Sequence, residues 1–158
     1  MKENDNILNA IEQSEGQTDD AAVYEEVEYK FLIFKVGSHL YALYADEVRE
    51  IIGGNPVFYL PFVPAYIRGL INRHGDPHTV YDVHALLEQE QTESDNYLIL
   101  KMEEDKVAIL ISEILEIKKI SESGINTLTS KESEMRFFRG SITIGDAEVF
   151  ILNIQNLL

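Results

Sequence analysis

Three of the four histidines and two aspartates fall within one short stretch, His74-Gly-Asp-Pro-His-Thr-Val-Tyr-Asp-Val-His84. Imidazole and carboxylate are the donors of choice for a divalent transition metal. On a strand, Asp76, His78 and Asp82 would share a face, because side chains alternate with a period of two. Other readings account for the same residues. Asp82 precedes Val-His-Ala-Leu-Leu87 and suits the cap of a short helix, which would start His84 on another heading. A turn around Gly75–Pro77 accounts for His74 and Asp76 as loop polarity. A metal held by His74, His78 and His84 therefore stays a minor alternative, since a site needs converging ligands and outer partners to orient them. Glu47, Glu50, Glu113 and Glu116 are the other groups able to do acid–base work, but a solvated strand face explains them equally.

The remaining catalytic signatures are missing. The chain has no cysteine, which excludes thiolate chemistry and disulfides. It carries no phosphate-cradling glycine loop, dinucleotide fingerprint, serine elbow or His-Glu-x-x-His. These residues favour a binding module over an enzyme and call for no cofactor. Tyr41, Tyr44, Phe58, Tyr59, Phe62 and Tyr66 make the first half rich in aromatic rings. Most suit packing, and some suit the rim of a protein contact. Pro56, Pro61 and Pro64 hold their connection extended.

Charge narrows the partners. The 158 residues carry a formal net charge of −15, which opposes phosphate backbones and anionic membrane surfaces. Nucleic acid and direct membrane insertion are not expected, and no apolar run approaches membrane-spanning length. Residues 1–28 hold nine carboxylates against Lys2 alone. They read as an acidic, solvated and largely disordered tail, with a short helix around Ile7–Ile11 too small to stand alone. A cytoplasmic protein is expected.

The elements behind the tail come twice. Tyr29–Val36, a turn at Gly37-Ser38 and His39–Leu43 predict a hairpin with glycine first in a two-residue turn. Asp95–Met102 and Lys106–Ile111 repeat it with a looser turn. Further strands follow at Glu47–Ile52 and Ile114–Ile120. Arg68-Gly69, Gly75-Asp76 and Asp82-Val-His-Ala-Leu-Leu87 then correspond to Arg139-Gly140, Gly145-Asp146 and Asn153-Ile-Gln-Asn-Leu-Leu158. The interval from Arg to the helix-capping Asp or Asn is 14 residues both times. The chain thus divides into halves of about 29–90 and 95–158. Phe31–Phe34 and Tyr97–Leu100 are apolar on both faces, as strands covered on both sides must be. Two small closed β-barrels with a shared apolar core fit this pattern.

Several segments together resemble one family. Tyr29–Ala42 is similar to the opening hairpin of CheW-like proteins, and Glu47-Val-Arg-Glu-Ile-Ile52 to their "K-V-x-E-I" strand. Leu60-Pro-Phe-Val-Pro-Ala-Tyr-Ile-Arg-Gly-Leu-Ile-Asn72 resembles "P-x-x-I-x-G-V-x-N", and Val80–Val83 the "P-V-I-D-L" that follows. Phe137-Phe-Arg-Gly140 and Phe150–Ile154 stand where the family has "Y-x-x-G" and "I-L-L-D-L". The resemblance covers about 29–158. It implies a mainly β protein of two five-stranded SH3-like barrel subdomains with short helices, packed through a shared apolar core. It also implies a scaffold without catalysis, bridging methyl-accepting chemoreceptor tips and the regulatory domain of a CheA-type histidine kinase at receptor arrays on the inner face of the membrane.

By motif match, Val48, Glu50, His74 and Tyr97 would line the receptor groove. Ile51, Ile52, Val57 and Tyr59 would form the kinase contact. Three features depart from the family. The acidic tail is an addition, and Ile109 replaces a glycine. His74 stands where an arginine usually pairs with the glutamate matching Glu50. Either a pH-sensitive Glu50–His74 contact or substitution by Arg73 would follow. A related adaptor serving another kinase pathway is the alternative within this family.

Overall fold

In the computed structural model the described residues are 26–128 and 135–157. The acidic-tail reading, with its Ile7–Ile11 helix, therefore lies outside them up to residue 25. Eleven strands alternate with short helical turns. The first hairpin is β1 (Glu28–Val36) and β2 (His39–Tyr44), and β3 (Val48–Gly53), β4 (Ile67–Arg73), β5 (Asp76–Tyr81) and helix α1 (Val83–Leu87) complete the first half. The second hairpin is β6 (Asn96–Leu100) and β7 (Val107–Ile111). It is followed by β8 (Glu113–Ser121), β9 (Ile125–Thr127), β10 (Phe138–Ile144), β11 (Ala147–Leu152) and α2 (Ile154–Leu157). The β1–β2 register sets Val36 opposite His39, and Gly37 sits at φ 63°. That is the two-residue turn expected, with glycine where a left-handed residue is required.

The halves are interleaved in space. One sheet has the order β8-β1-β2-β11-β10-β9, the other β3-β6-β7-β5-β4. Each hairpin has therefore joined the strands of the opposite half. Both sheets have the same plan, including a parallel pair in each, β11 with β2 and β5 with β7. In both, the two edge strands are consecutive in the chain. A 3-10 turn at Glu122–Gly124 joins β8 to β9, and the 54–66 connection joins β3 to β4. The sixth strand, β9, is the piece that follows that turn. Its counterpart in the other barrel is a single bridge from Phe58 to Leu70.

The two-sided apolar strands locate the cores. On β1, Phe31 and Ile33 point into the core of the second barrel, whereas Leu32 and Phe34 enter a larger cluster between barrels. On β6, Tyr97 and Ile99 fill the first barrel, and Leu98 and Leu100 face that same shared cluster. Each large side chain removed from water contributes about 1.5–3 kcal/mol. The shared cluster thus binds the barrels into one body.

The repeated Arg-Gly has a physical cause. Ladder register shifts at Ile67/Gly69 in β4 and at Phe138/Gly140 in β10. Arg68 and Arg139 are the extra residues of these bulges. A Cβ on Gly69 would collide with the carbonyl of Phe58, and one on Gly140 with the carbonyl of Asn126. Glycine thus admits the closing strand, and the arginine before it reaches a carboxylate, Asp82 for Arg68 and Glu47 for Arg139.

Candidate functional site

The seam between barrels opens as a groove of about 190 Å³, lined by Leu32 and Ile117 from one sheet and Val48, Arg49, Glu50 and Ile51 from the other. Alternation along β3 produces it. Val48, Glu50 and Ile52 are half-buried, and Arg49 and Ile51 are exposed. A register shift between Val48 and Glu50 turns the strand at this point. Ile51, Leu115 and Ile117 remain exposed large apolar side chains, so the seam offers apolar surface that no part of the described chain covers.

Beside the groove, Arg73 Nε donates to Glu50 Oε1 at 2.8 Å and Nη2 donates to Oε2 at 3.2 Å. This planar fork ties together β3 and β4, the two edges of the first sheet. It also holds the Glu50 carboxyl below its usual range, chiefly through the hydrogen bonds from Arg73, and raises Arg73. His74 is 73% exposed, with Nε2 at 3.9 Å from Glu50 Oε2. Of the two expectations for Glu50, the guanidinium of Arg73 makes the close contact and His74 only flanks it. The backbone shows why a histidine suits position 74. His74 has φ 54° and Gly75 φ 87° at the β4–β5 turn, and Asn72 Oδ1 accepts from Gly75 N at 2.9 Å. Histidine is among the side chains enriched in that left-handed region. The turn therefore centres on His74-Gly75, one step before the expected place, and Pro77 lies near the start of β5, where proline is tolerated.

Tyr97 lies elsewhere. It is 2% exposed in the first barrel's core and lines a second cavity of about 250 Å³ with Val57, Tyr59, Arg68 and Leu110. Burial first, then Asp95, pushes its hydroxyl up. Ile52 pairs with Tyr97 across the ladder and packs on the same core. The structure thus groups Val48, Glu50, Ile51 and His74 at the seam, and Ile52, Val57, Tyr59 and Tyr97 at the end of the first barrel. Phe58, Tyr59 and Phe62 are exposed on that end, Phe62 fully, at 102%, with φ 61°. The aromatic count in the sequence signalled this patch without saying which rings would be outside. Leu115 and Ile117, in a strand that also carries Glu113, Glu116, Lys118 and Lys119, had no comparable signal.

The histidines disperse. His78 is buried with Nδ1 at 3.2 Å from the Asp76 carbonyl. His84 is buried with Nε2 at 3.8 Å from Glu90, and His74 is outside. Among the described residues no three His, Cys, Asp or Glu side chains gather as a metal site. Asp82 instead serves the fold. Its Oδ1 accepts from His84 N, Ala85 N and Thr92 Oγ1, and its Oδ2 from Thr92 N at 2.7 Å and Arg68 Nη1 at 3.1 Å. Arg139, the repeat partner of Arg68, meets Glu47 at 2.8 Å and stacks over Tyr44. Burial pushes Glu47 up against the opposing pull of Arg139.

Comparison with known proteins agrees with this architecture. The family model described as the CheW-like domain matches residues 30–158. A chemotaxis protein CheW of Treponema pallidum is 24% identical over 147 residues, covering 86% of this chain and 85% of that protein. The chemotaxis protein CheW of Rhizobium meliloti is 24% identical over 133 residues, covering 81% and 86%. Among solved structures, the scaffolding protein TtCheW from Thermoanaerobacter tengcongensis superposes with a TM-score of 0.73 at 20% identity, over 80% of this chain and 90% of that one.

Proposed function

The chain belongs to the CheW-like domain family, and from that membership we propose that it is a non-enzymatic scaffold coupling methyl-accepting chemoreceptors to a CheA-type histidine kinase in chemotaxis signalling. The observation that carries the reading is the open apolar seam between the barrels. Non-polar surface that stays in water within a well-packed domain is suited to a partner. The seam takes the receptor tip, with Val48, Ile51 and Ile117 supplying apolar contact and the Glu50–Arg73 fork and His74 supplying polar contacts at its rim. The end of the first barrel takes the kinase's regulatory domain, through Ile52, Val57 and Tyr59 together with Phe58 and Phe62. Tyr97 supports that surface from beneath. Such a protein works on the cytoplasmic side, held at receptor arrays by its partners, and no helix among the described residues is long and apolar enough to cross a membrane.

Two separable surfaces make the test decisive. Calorimetric titration with the kinase's regulatory domain should give saturable binding near one-to-one. Tyr59→Ala should weaken it about tenfold, the loss of about 1.4 kcal/mol expected of an interface aromatic, and leave receptor binding intact. Ile117→Asp should do the reverse. Absence of kinase binding, or both variants weakening both partners equally, would overturn this assignment.

A further inference from the structure

The seam carries three cations in an otherwise acidic protein. Arg49 lines it directly. Side chains two apart on a strand share a face, so Lys30 extends the face of Leu32 on β1, and Lys119 that of Ile117 on β8. The ladder sets Leu32 opposite Ile117 and Lys30 opposite Lys119, and all three cations are exposed. The carboxylates near this face are Glu50, already taken by Arg73, and Glu28 and Asp46, which line a neighbouring hollow with Lys30; Lys119 and Arg49 lie outside that hollow. Like charges directly opposite each other weaken a sheet. A face that sets two lysines together beside an arginine and open apolar side chains suits a cover that is both apolar and anionic.

The chain carries such a segment. Ile7, Leu8 and Ile11 have the spacing of one helical stripe, flanked by Asp5, Glu12 and Glu15. We propose that residues 5–15 dock on the basic seam of their own molecule and compete there with the receptor tip. This rests on the seam being the receptor site. Length permits the contact. Twelve residues lie between Glu15 and Glu28, enough to span roughly 40 Å when extended. The Leu32–Ile117 pair lies only about 13 Å along β1 from Glu28. A tether of this kind holds its ends at an effective concentration on the order of 1 mM. A contact with an intrinsic dissociation constant of about 0.5 mM would then close the seam in about two molecules of three and weaken a competitor about threefold.

The absence of cysteine makes Asn9→Cys in the full chain a unique site for a nitroxide label. The label should broaden the methyl resonances of Val48, Ile51 and Ile117 several-fold more than those of Ile142 and Val149 in the second barrel's core. The broadening should be independent of protein concentration, and should fall in Lys30→Glu/Lys119→Glu and at about 0.5 M salt, where charges are screened within a few ångströms. Uniform broadening, or broadening indifferent to the charge reversal, refutes docking. Loss on dilution would mean that the segment docks on a second copy, which also overturns the proposal. In unlabelled full chain, Ile7→Ser/Leu8→Ser/Ile11→Ser should tighten binding of a receptor-tip fragment about threefold, and an unchanged affinity refutes competition. A receptor tip that binds neither chain removes the receptor reading of the seam, while the labelling result still decides whether the segment docks.

Discussion

Asp82 should be the costliest polar side chain in the protein to alter. Its side chain is fully buried and it accepts from five donors: the amides of His84, Ala85 and Thr92, the Thr92 hydroxyl and Arg68. Asp82→Asn preserves shape and leaves Oδ1 to cap α1. The new amide group, however, faces Arg68 and the Thr92 amide, which are both donors. Two charge-assisted hydrogen bonds are lost and the buried Thr92 amide is left unpaired, at about 1–3 kcal/mol for the unsatisfied group, while Arg68 keeps its bond to the Thr92 carbonyl. The expected loss is about 3 kcal/mol, a large share of the 5–15 kcal/mol typical of a domain. Thr92→Val removes one hydroxyl bond and should cost about 1–2 kcal/mol. The repeat supplies an internal control. Asn153 occupies the corresponding place, and among the described residues its side chain accepts only the Gln155 amide, at 3.2 Å and in an exposed setting. Asn153→Ala should therefore cost at most about 1 kcal/mol. Urea unfolding of the three variants measures these differences, and the melting temperature of Asp82→Asn should drop by roughly 6–12 °C. A loss under about 1 kcal/mol for Asp82→Asn, or equal losses at positions 82 and 153, would refute the reasoning that burial and multiplicity set the cost.

Other perturbations read other parts of the structure. Gly69→Ala places a Cβ against the Phe58 carbonyl at φ 139° and should cost well over the roughly 1–2 kcal/mol of a left-handed backbone alone, whereas Gly54→Ala, at φ 78° in open space, should cost only that; urea melts of the pair separate the collision from the dihedral. Arg73→Met should return the Glu50 carboxyl upward toward its ordinary range, as followed by carbon NMR. A lowered carboxylate contributes stability above its unfolded pKa and loses it as pH falls through the folded value, so the wild-type's acid-side loss from this residue should shrink in the variant, where His74 and Arg49 alone still lower it. Tyr41 is pushed up to about 12, mainly by burial and then by Glu88. A raised group contributes fully below the unfolded value and loses that contribution as pH climbs toward the folded one, so stability should fall between about pH 10 and 12, with Tyr41 phenolate absorbance appearing late in that window.

The sequence displayed the strands more fully than their partners. Hairpins, capped helices and two-faced apolar strands follow from local rules of turn chemistry and alternation, and Gly37, Asp82 and Phe31–Phe34 behave as those rules require. Which hairpin pairs with which half is a non-local choice. β1 could cover the strands of either repeat with equal local propriety, and only the fit of Phe31 and Ile33 against Ile142, Val149 and Ile151 selects the exchange. The seam was legible through Val48, Glu50 and His74 because motif spacing marks β3 and the β4–β5 turn. Tyr97 could not be placed in the same way. One face of β6 looks into a barrel and the other into the shared core, and alternation alone does not say which is which. Arg73 was visible as a candidate for the Glu50 contact, but its fork depends on how far the barrel edges approach each other.

The exchange of hairpins also explains why the open surface lies at the seam. A barrel built from one half alone could carry its binding surface on its own outer face. Here β1 and β8 bring Leu32 and Ile117 from one barrel, and β3 brings Val48 and Ile51 from the other. The groove exists only while the shared cluster, with Leu32, Phe34, Leu98 and Leu100 buried within it, holds both barrels in register. β1 and β6 each have one face in a barrel core and one in that cluster. A shift of one barrel against the other must therefore disturb the packing of both strands at once. Dense apolar cores resist such sliding and pass strain on, because side chains interdigitate with few voids. A partner seated in the seam thus presses on the same strands that fill the first barrel, whose far end carries Val57, Phe58 and Tyr59. Occupancy of one surface can reach the other through β3 alone, since Ile51 lines the seam and the adjacent Ile52 packs against Tyr97 beneath them.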